Sequence, residues 1–150
     1  MSQSLSQIYI HAIFGTKNRE KIITPEIESK LHAYISGVLK HIECPVLEIN
    51  SVPDHIHILY RLSKNISLAK SLQELKRESS AFMKLKGISN FTWQGGYGAF
   101  SVSSSKIETV RNYIKNQKEH HKTVTFKNEV EQFFKEYGID KYDTRFFWNE

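Results

Sequence analysis

The feature that most constrains this chain is the order in which its hydrophobic periods change. Residues 8–14 (Ile-Tyr-Ile-His-Ala-Ile-Phe) are rich in β-branched and aromatic side chains and stop at Gly15, as a strand does. Thr24-Pro25 is a helix cap followed by proline at the first helical position. Behind it Ile27, Leu31, Tyr34, Ile35, Val38 and Leu39 recur at helical spacing. Residues 44–52 and 55–62 return to strand composition around a Pro53-Asp54 turn and predict a hairpin. Ser67 caps a second helical stripe through Leu68, Leu72, Leu75, Phe82 and Met83, which Gly87 closes, and 99–103 predict a fourth strand. Strand, helix, strand, strand, helix, strand is the ferredoxin-like order. It predicts an α+β fold: an antiparallel sheet with both helices on one face, the other face being left free for a partner.

Two further helices are appended, over 106–121 and over 126–137, the latter capped by Thr125 and ended by Gly138, with an aromatic tail at 142–148. No repeat, low-complexity tract or linker divides the 150 residues, so one domain over 1–150 is expected. A single cysteine, Cys44, excludes an intrachain disulfide and a cysteine-based zinc site, and suits a reducing cytoplasm. The polar start lacks the basic and apolar regions of a leader, and no stretch is long and apolar enough to span a membrane. A net charge of +5 and a pI near 9.2 tilt the expected partner toward an anion.

The chemistry is carried by two short patterns far apart in sequence. In Asp54-His55-Ile56-His57 the histidines are two apart, so on a strand both imidazoles share one face and can point at one metal ion. Alone, such a pair is more often structural than metal-binding. Asp54 can orient an imidazole from behind, or simply close the turn after Pro53. Tyr113 and Gln117 are four apart, so on one helix they project from one stripe, with His120 on the same line beside the apolar Ile107, Val110 and Ile114. That line reads either as a solvated flank or as the edge of a cleft.

Together the halves fit one reaction class. A phenol with a pKa near 10 needs activation to act as a nucleophile. Two imidazoles and an amide oxygen can hold a divalent ion with positions left for phosphodiester oxygens. Mixed nitrogen and oxygen ligation without thiolate suits Mg²⁺ or Mn²⁺ in a phosphate site, although zinc would also bind. On the second helix Lys70, Arg77 and Lys84 recur every seven residues, with Lys76 beside them, as a solvated face or a stripe for DNA. Phe91, Trp93 and Tyr97 read as packing residues, with stacking on bases as the alternative.

The run Val52-Pro53-Asp54-His55-Ile56-His57-Ile58-Leu59, followed by Tyr113-Ile114 and Gln117, strongly resembles the single-tyrosine HUH transposases of bacterial insertion sequences, a group that includes the REP-associated tyrosine transposases. The likeness extends to residues 11–19 and 93–102. The resemblance implies a ferredoxin-like fold whose appended helix carries the nucleophile, and cleavage of single-stranded DNA at hairpin-forming ends. Tyr113 would attack the scissile phosphate to give a 5′-phosphotyrosine link, with His55, His57 and Gln117 holding Mg²⁺ or Mn²⁺ and Asp54 behind them. It also implies a homodimer, in which the tyrosine helix can serve its own subunit or its partner.

Two rivals come from other classes. A histidine-triad hydrolase would need a third histidine where Leu59 stands. A non-catalytic single-stranded nucleic-acid binder, derived from such a transposase or built on an RRM-like sheet, would need aromatics on the free sheet face, for which Tyr60 is a candidate.

Overall fold

The structure is a computed structural model and describes residues 2–148, the side chains at 145 and 146 excepted. Strand β1 (Ile8–Gly15) leads to helix α1 (Pro25–His41), and β2 (Val46–Val52) and β3 (His55–Leu62) form the hairpin about Pro53-Asp54. Helix α2 (Leu68–Leu85) and β4 (Gly98–Val102) complete the unit, and the strands lie in the order β2-β3-β1-β4, antiparallel throughout. This is the ferredoxin-like arrangement expected from the element order.

Period-two alternation sorts the strand residues between two faces. Ile10, Ala12 and Phe14 of β1 and Ile56, Ile58 and Tyr60 of β3 pack against Leu31, Ile35 and Leu39 of α1 and Leu72, Leu75 and Met83 of α2. These side chains are almost completely buried, each worth roughly 1.5–3 kcal/mol against exposure. Tyr60, a candidate face for bases on sequence grounds, is fully buried, its hydroxyl 2.8 Å from Ser71 Oγ. Phe91 and Trp93 are likewise core residues, packed edge to face at 4.7 Å.

The opposite face departs from expectation: it is covered by the chain's own C-terminal elements. Helices α3 (Ile107–Lys115), α4 (Gln117–His120), α5 (Phe126–Glu136) and α6 (Thr144–Trp148) follow β4. Ile114 packs with Leu59 and Val102, while Phe126, Val130 and Phe134 pack with Ile13 and Phe100. The reason is apolar area. The face carries Ile13, Leu59, Phe100 and Val102, and the stripes of α3 and α5 need a surface to bury against.

The helix expected over 106–121 is also broken. Asn116, at φ −94° and ψ 16°, separates α3 from the short α4, so Tyr113 and Gln117 lie on either side of a bend. Helix α5 begins at its expected cap, where Thr125 accepts a hydrogen bond from the Asn128 amide.

Candidate metal and nucleophile site

Antiparallel register sets Ile13 opposite His57 and Gly15 opposite His55, at the end of the sheet that α5 crosses. Gly15 makes the crossing possible. A Cβ there would stand 2.7 Å from Phe126 Cε2; without one, the Phe126 ring stacks on the His55 imidazole at 4.2 Å and 17°.

Three imidazoles and one carboxylate converge beneath α5. Glu129 Oε1 lies 3.0 Å from His57 Nε2, 2.9 Å from His121 Nε2 and 3.4 Å from His55 Nε2. One potential ligand atom from each of the four residues falls within 4.8 Å of the others, so the group could hold a single metal ion. Each imidazole is held from behind through Nδ1. His55 Nδ1 donates to Asp54 Oδ1 at 2.7 Å and His121 Nδ1 to the Val124 carbonyl at 2.6 Å, while His57 Nδ1 meets His11 Nε2 at 2.9 Å. All three therefore turn Nε2 inward, the orientation that outer hydrogen bonds impose on metal-binding histidines.

Tyr113 joins this cluster in its own chain. Its hydroxyl donates to Glu129 Oε2 and lies 3.4 Å from His120 Nε2, and its ring is 5.8 Å from that of His57. Gln117 is fully buried, with Nε2 3.3 Å from the Tyr113 carbonyl oxygen. Its Oε1 is buried with no hydrogen-bond partner among the described residues. An orphaned carbonyl oxygen inside a polar cluster is costly, and a hard cation is one partner that would satisfy it.

The ionisation states follow from burial and contact. Burial drives the His57 pKa down to about 4 against the opposing pull of Glu129, and burial with the neighbouring His57 holds His11 well below the ordinary imidazole value. Burial would also lower His55, but the Asp54 and Glu129 carboxylates outweigh it and raise its pKa. For Glu129 burial favours the neutral acid, yet hydrogen bonds from His121, His55 and His57 hold it far below the ordinary range. Burial and the Glu129 charge push the Tyr113 phenol well above its usual pKa, so it is protonated at neutral pH.

Two clefts flank the cluster. One of about 640 Å³ runs between α3 and α5 past Tyr113, His120, Glu129 and Phe133. The other, about 720 Å³, lies across the 121–125 turn and is lined by Arg19, Lys21, Asp54, His121, Lys122 and Lys127. Trp148 borders it, with the Arg19 guanidinium 5.6 Å and the Lys127 ammonium 6.0 Å from its ring.

His55, His57, Tyr113, Gln117 and Asp54 are thus brought together, although more than a third of the chain separates the two patterns. Lys70, Arg77 and Lys84 are not with them: they lie on the outer side of α2, across the sheet. There Lys70 and Arg77 pair with Glu74 at 3.2 and 2.7 Å. Lys76 differs again, its ammonium donating to the carbonyls of Gln94, Gly95 and Gly96 at 2.7, 3.3 and 3.1 Å. Three residues escaped sequence reasoning. Glu129 had a readable signal, a carboxylate on the apolar stripe of α5 between Phe126 and Phe133. His11 lay on the site-facing side of β1, whereas His121 sits in a turn with no periodicity to mark it.

The family model described as "Transposase IS200 like" matches residues 4–117. This chain belongs to the IS200-like transposase family. Among solved structures, a protein assigned as a transposase from Deinococcus radiodurans R1 superposes with a TM-score of 0.63 at 19% identity, over 78% of this chain and 98% of that one. A REP-associated tyrosine transposase bound to a REP hairpin gives 0.59 at 16% identity, over 83% of this chain and 76% of that one. Both share the fold. No curated protein matches this transposase chain. No helix among its described residues is long and apolar enough to cross a membrane.

Proposed function

We propose that this transposase cuts and rejoins single-stranded DNA through a covalent 5′-phosphotyrosine intermediate on Tyr113. The observation that carries the reading is the contact of the Tyr113 hydroxyl with Glu129 beside His57, all within one chain. Such a contact would bring a nucleophile, the carboxylate that orients it and a cation site into a single cluster.

His55, His57 and Gln117 are the residues that would hold a divalent ion, with Asp54 fixing the His55 ring; the orphaned Gln117 Oε1 fits that role. When bound, the ion would polarise the scissile phosphate and offset charge on the leaving oxygen. Glu129 Oε2 orients the protonated phenol, which gives up its proton to water as Tyr113 Oη bonds to phosphorus. The bond from phosphorus to the 3′-oxygen breaks, and that oxygen leaves as a hydroxyl, receiving through water the proton that the phenol gave up. The phosphotyrosine bond retains the energy of the phosphodiester, so attack by another 3′-hydroxyl rejoins the strand without ATP. The approach of the Tyr113 ring to that of His57 in the same chain supports attack within one subunit of a homodimer.

The substrate is proposed to be cytoplasmic DNA with hairpin-forming ends, in keeping with the hairpin bound by the REP-associated relative. The reacting strand would follow the basic cleft of Arg19, Lys21, Lys122 and Lys127, and Lys70, Arg77 and Lys84 would meet only outlying DNA. Incubating the full chain with labelled single-stranded DNA from the ends flanking its gene, plus Mn²⁺, should give a covalent adduct. Tyr113→Phe should give none; an adduct that persists in it sinks the assignment of the nucleophile.

A further inference from the structure

The residues beyond the family match, 118–150, hold two groups to which the proposed metal set of His55, His57 and Gln117 gives no role as ligands: His121 and Glu129. We infer that this C-terminal segment completes the metal site, with His121 Nε2 and Glu129 Oε1 as ligands beside His55 and His57, and that the site selects a six-coordinate transition-metal dication such as Mn²⁺ over Mg²⁺. This rests on the reading of His55 and His57 as metal ligands.

Geometry supports the set. Glu129 is 1% exposed and His121 9% exposed, and both direct their atoms at the point where the His55 and His57 Nε2 atoms converge. Glu129 has almost no solvent contact and His121 only a little, on the side of the basic cleft. The turn that carries His121 is fixed by its own Nδ1 bond to Val124, and Glu129 is fixed by α5, which packs on Ile13 and Phe100. A ligand on a packed helix is presented at little entropic cost.

Donor chemistry then narrows the ion. Three imidazole nitrogens and one carboxylate oxygen form a nitrogen-rich set, whereas Mg²⁺ favours oxygen ligands and retains its waters. Four protein ligands saturate a tetrahedral Zn²⁺ and leave no place for substrate. On a six-coordinate ion they leave two positions, one for Gln117 Oε1 and one for a phosphate oxygen. Glu129 links the two halves of the site, because its Oε2 holds the Tyr113 hydroxyl while Oε1 faces the ion. It is a ligand and, toward the phenol, a positioning residue.

The test is titration of the full chain with Mn²⁺ alone and with Mg²⁺ alone by calorimetry, with thermal melting as a control on folding. Mn²⁺ should bind far more tightly than Mg²⁺, and His121→Ala and Glu129→Ala should each weaken Mn²⁺ by about tenfold or more. Unchanged Mn²⁺ affinity in both variants, with affinity lost in His57→Ala, overturns the inference and leaves the reading of His55 and His57 standing. Unchanged affinity in His57→Ala as well overturns both. Equal affinity for Mg²⁺ and Mn²⁺ overturns the selectivity. Should either variant fail to fold, pulsed EPR of the Mn²⁺-loaded unmodified chain decides, with histidine labelled in ¹⁵N: three coordinated imidazoles are expected, and two overturn the inference.

Discussion

The two faces of the sheet are built by the same strands and do opposite work. Toward α1 and α2 every inward strand residue from Ile10 to Tyr60 is apolar or internally satisfied, and the layer is held mainly by apolar area. Toward α3 and α5 apolar patches flank a polar centre: Ile114, Leu59 and Val102 on one side, Phe126, Val130 and Phe134 on the other. Between them lie His11, His55, His57, Gln117 and Glu129, all nearly without solvent contact. Burying five such groups is a poor way to stabilise a fold, because each must be desolvated before it finds a partner. Their retention in one place is what a reactive centre requires. On the function proposed above, stability belongs mainly to one face and chemistry to the other.

The largest effect that would test this division is on chemistry. Tyr113→Phe removes one oxygen, so covalent adduct formation should vanish while the melting temperature stays close to that of the unmodified chain. A large loss of stability in this variant would mean that the phenol is a structural group after all. On the other face, Leu72→Ala should cost about 2–5 kcal/mol in denaturant unfolding, as expected for a truncated core leucine. Adduct yield per folded molecule should be unchanged. If yield falls with stability intact, the two faces are coupled and the division fails.

Gly15 lies on the seam, and substitution there should move both properties at once. Gly15→Ala puts a methyl 2.7 Å from Phe126 Cε2, an overpacking worth roughly 1–3 kcal/mol. Phe126 is the stacking partner of His55, so Mn²⁺ affinity should fall together with the melting temperature. A change in one without the other would show that the stack and the site are independent.

The first face was legible in the sequence almost residue by residue, because strand and helix periods are local and the stripes of α1 and α2 face a single partner layer. The second was legible only in its motifs. His55 and His57 share a face by alternation, and Tyr113 with Gln117 by helical spacing, which survives approximately even though Asn116 bends the helix between them. What spacing could not show is which surface the C-terminal helices cover. A free sheet face and a covered one have the same alternation; the difference lies in whether later stripes, those of α3 and α5, have anywhere else to go. His121 depends on that tertiary choice entirely. Glu129 depends on it less, since a carboxylate three residues after Phe126 and next to Val130 interrupts an apolar stripe in a way that asks for an explanation.

The smallest effects concern the two basic surfaces, and they carry the comparison into DNA binding. On a single strand, each phosphate that a variant no longer neutralises should change the slope of log affinity against log salt by about 0.7. Arg19 and Lys127 border the cleft that opens on His121 and Asp54, so the double variant Arg19→Ala, Lys127→Ala should flatten the slope by about 1.4 with hairpin-ended DNA. Arg77 stands on the other side of the sheet, its guanidinium bonded to Glu74 at 2.7 Å and 3.3 Å from Glu78. A cation already paired with two carboxylates releases fewer counterions from a passing phosphate. Arg77→Ala should therefore change the slope by less than a single neutralised phosphate would, and least with a short oligonucleotide that cannot reach round the sheet edge. Equal flattening by the two variants on a short strand would place the DNA path across α2 and separate the binding surface from the face that holds Tyr113.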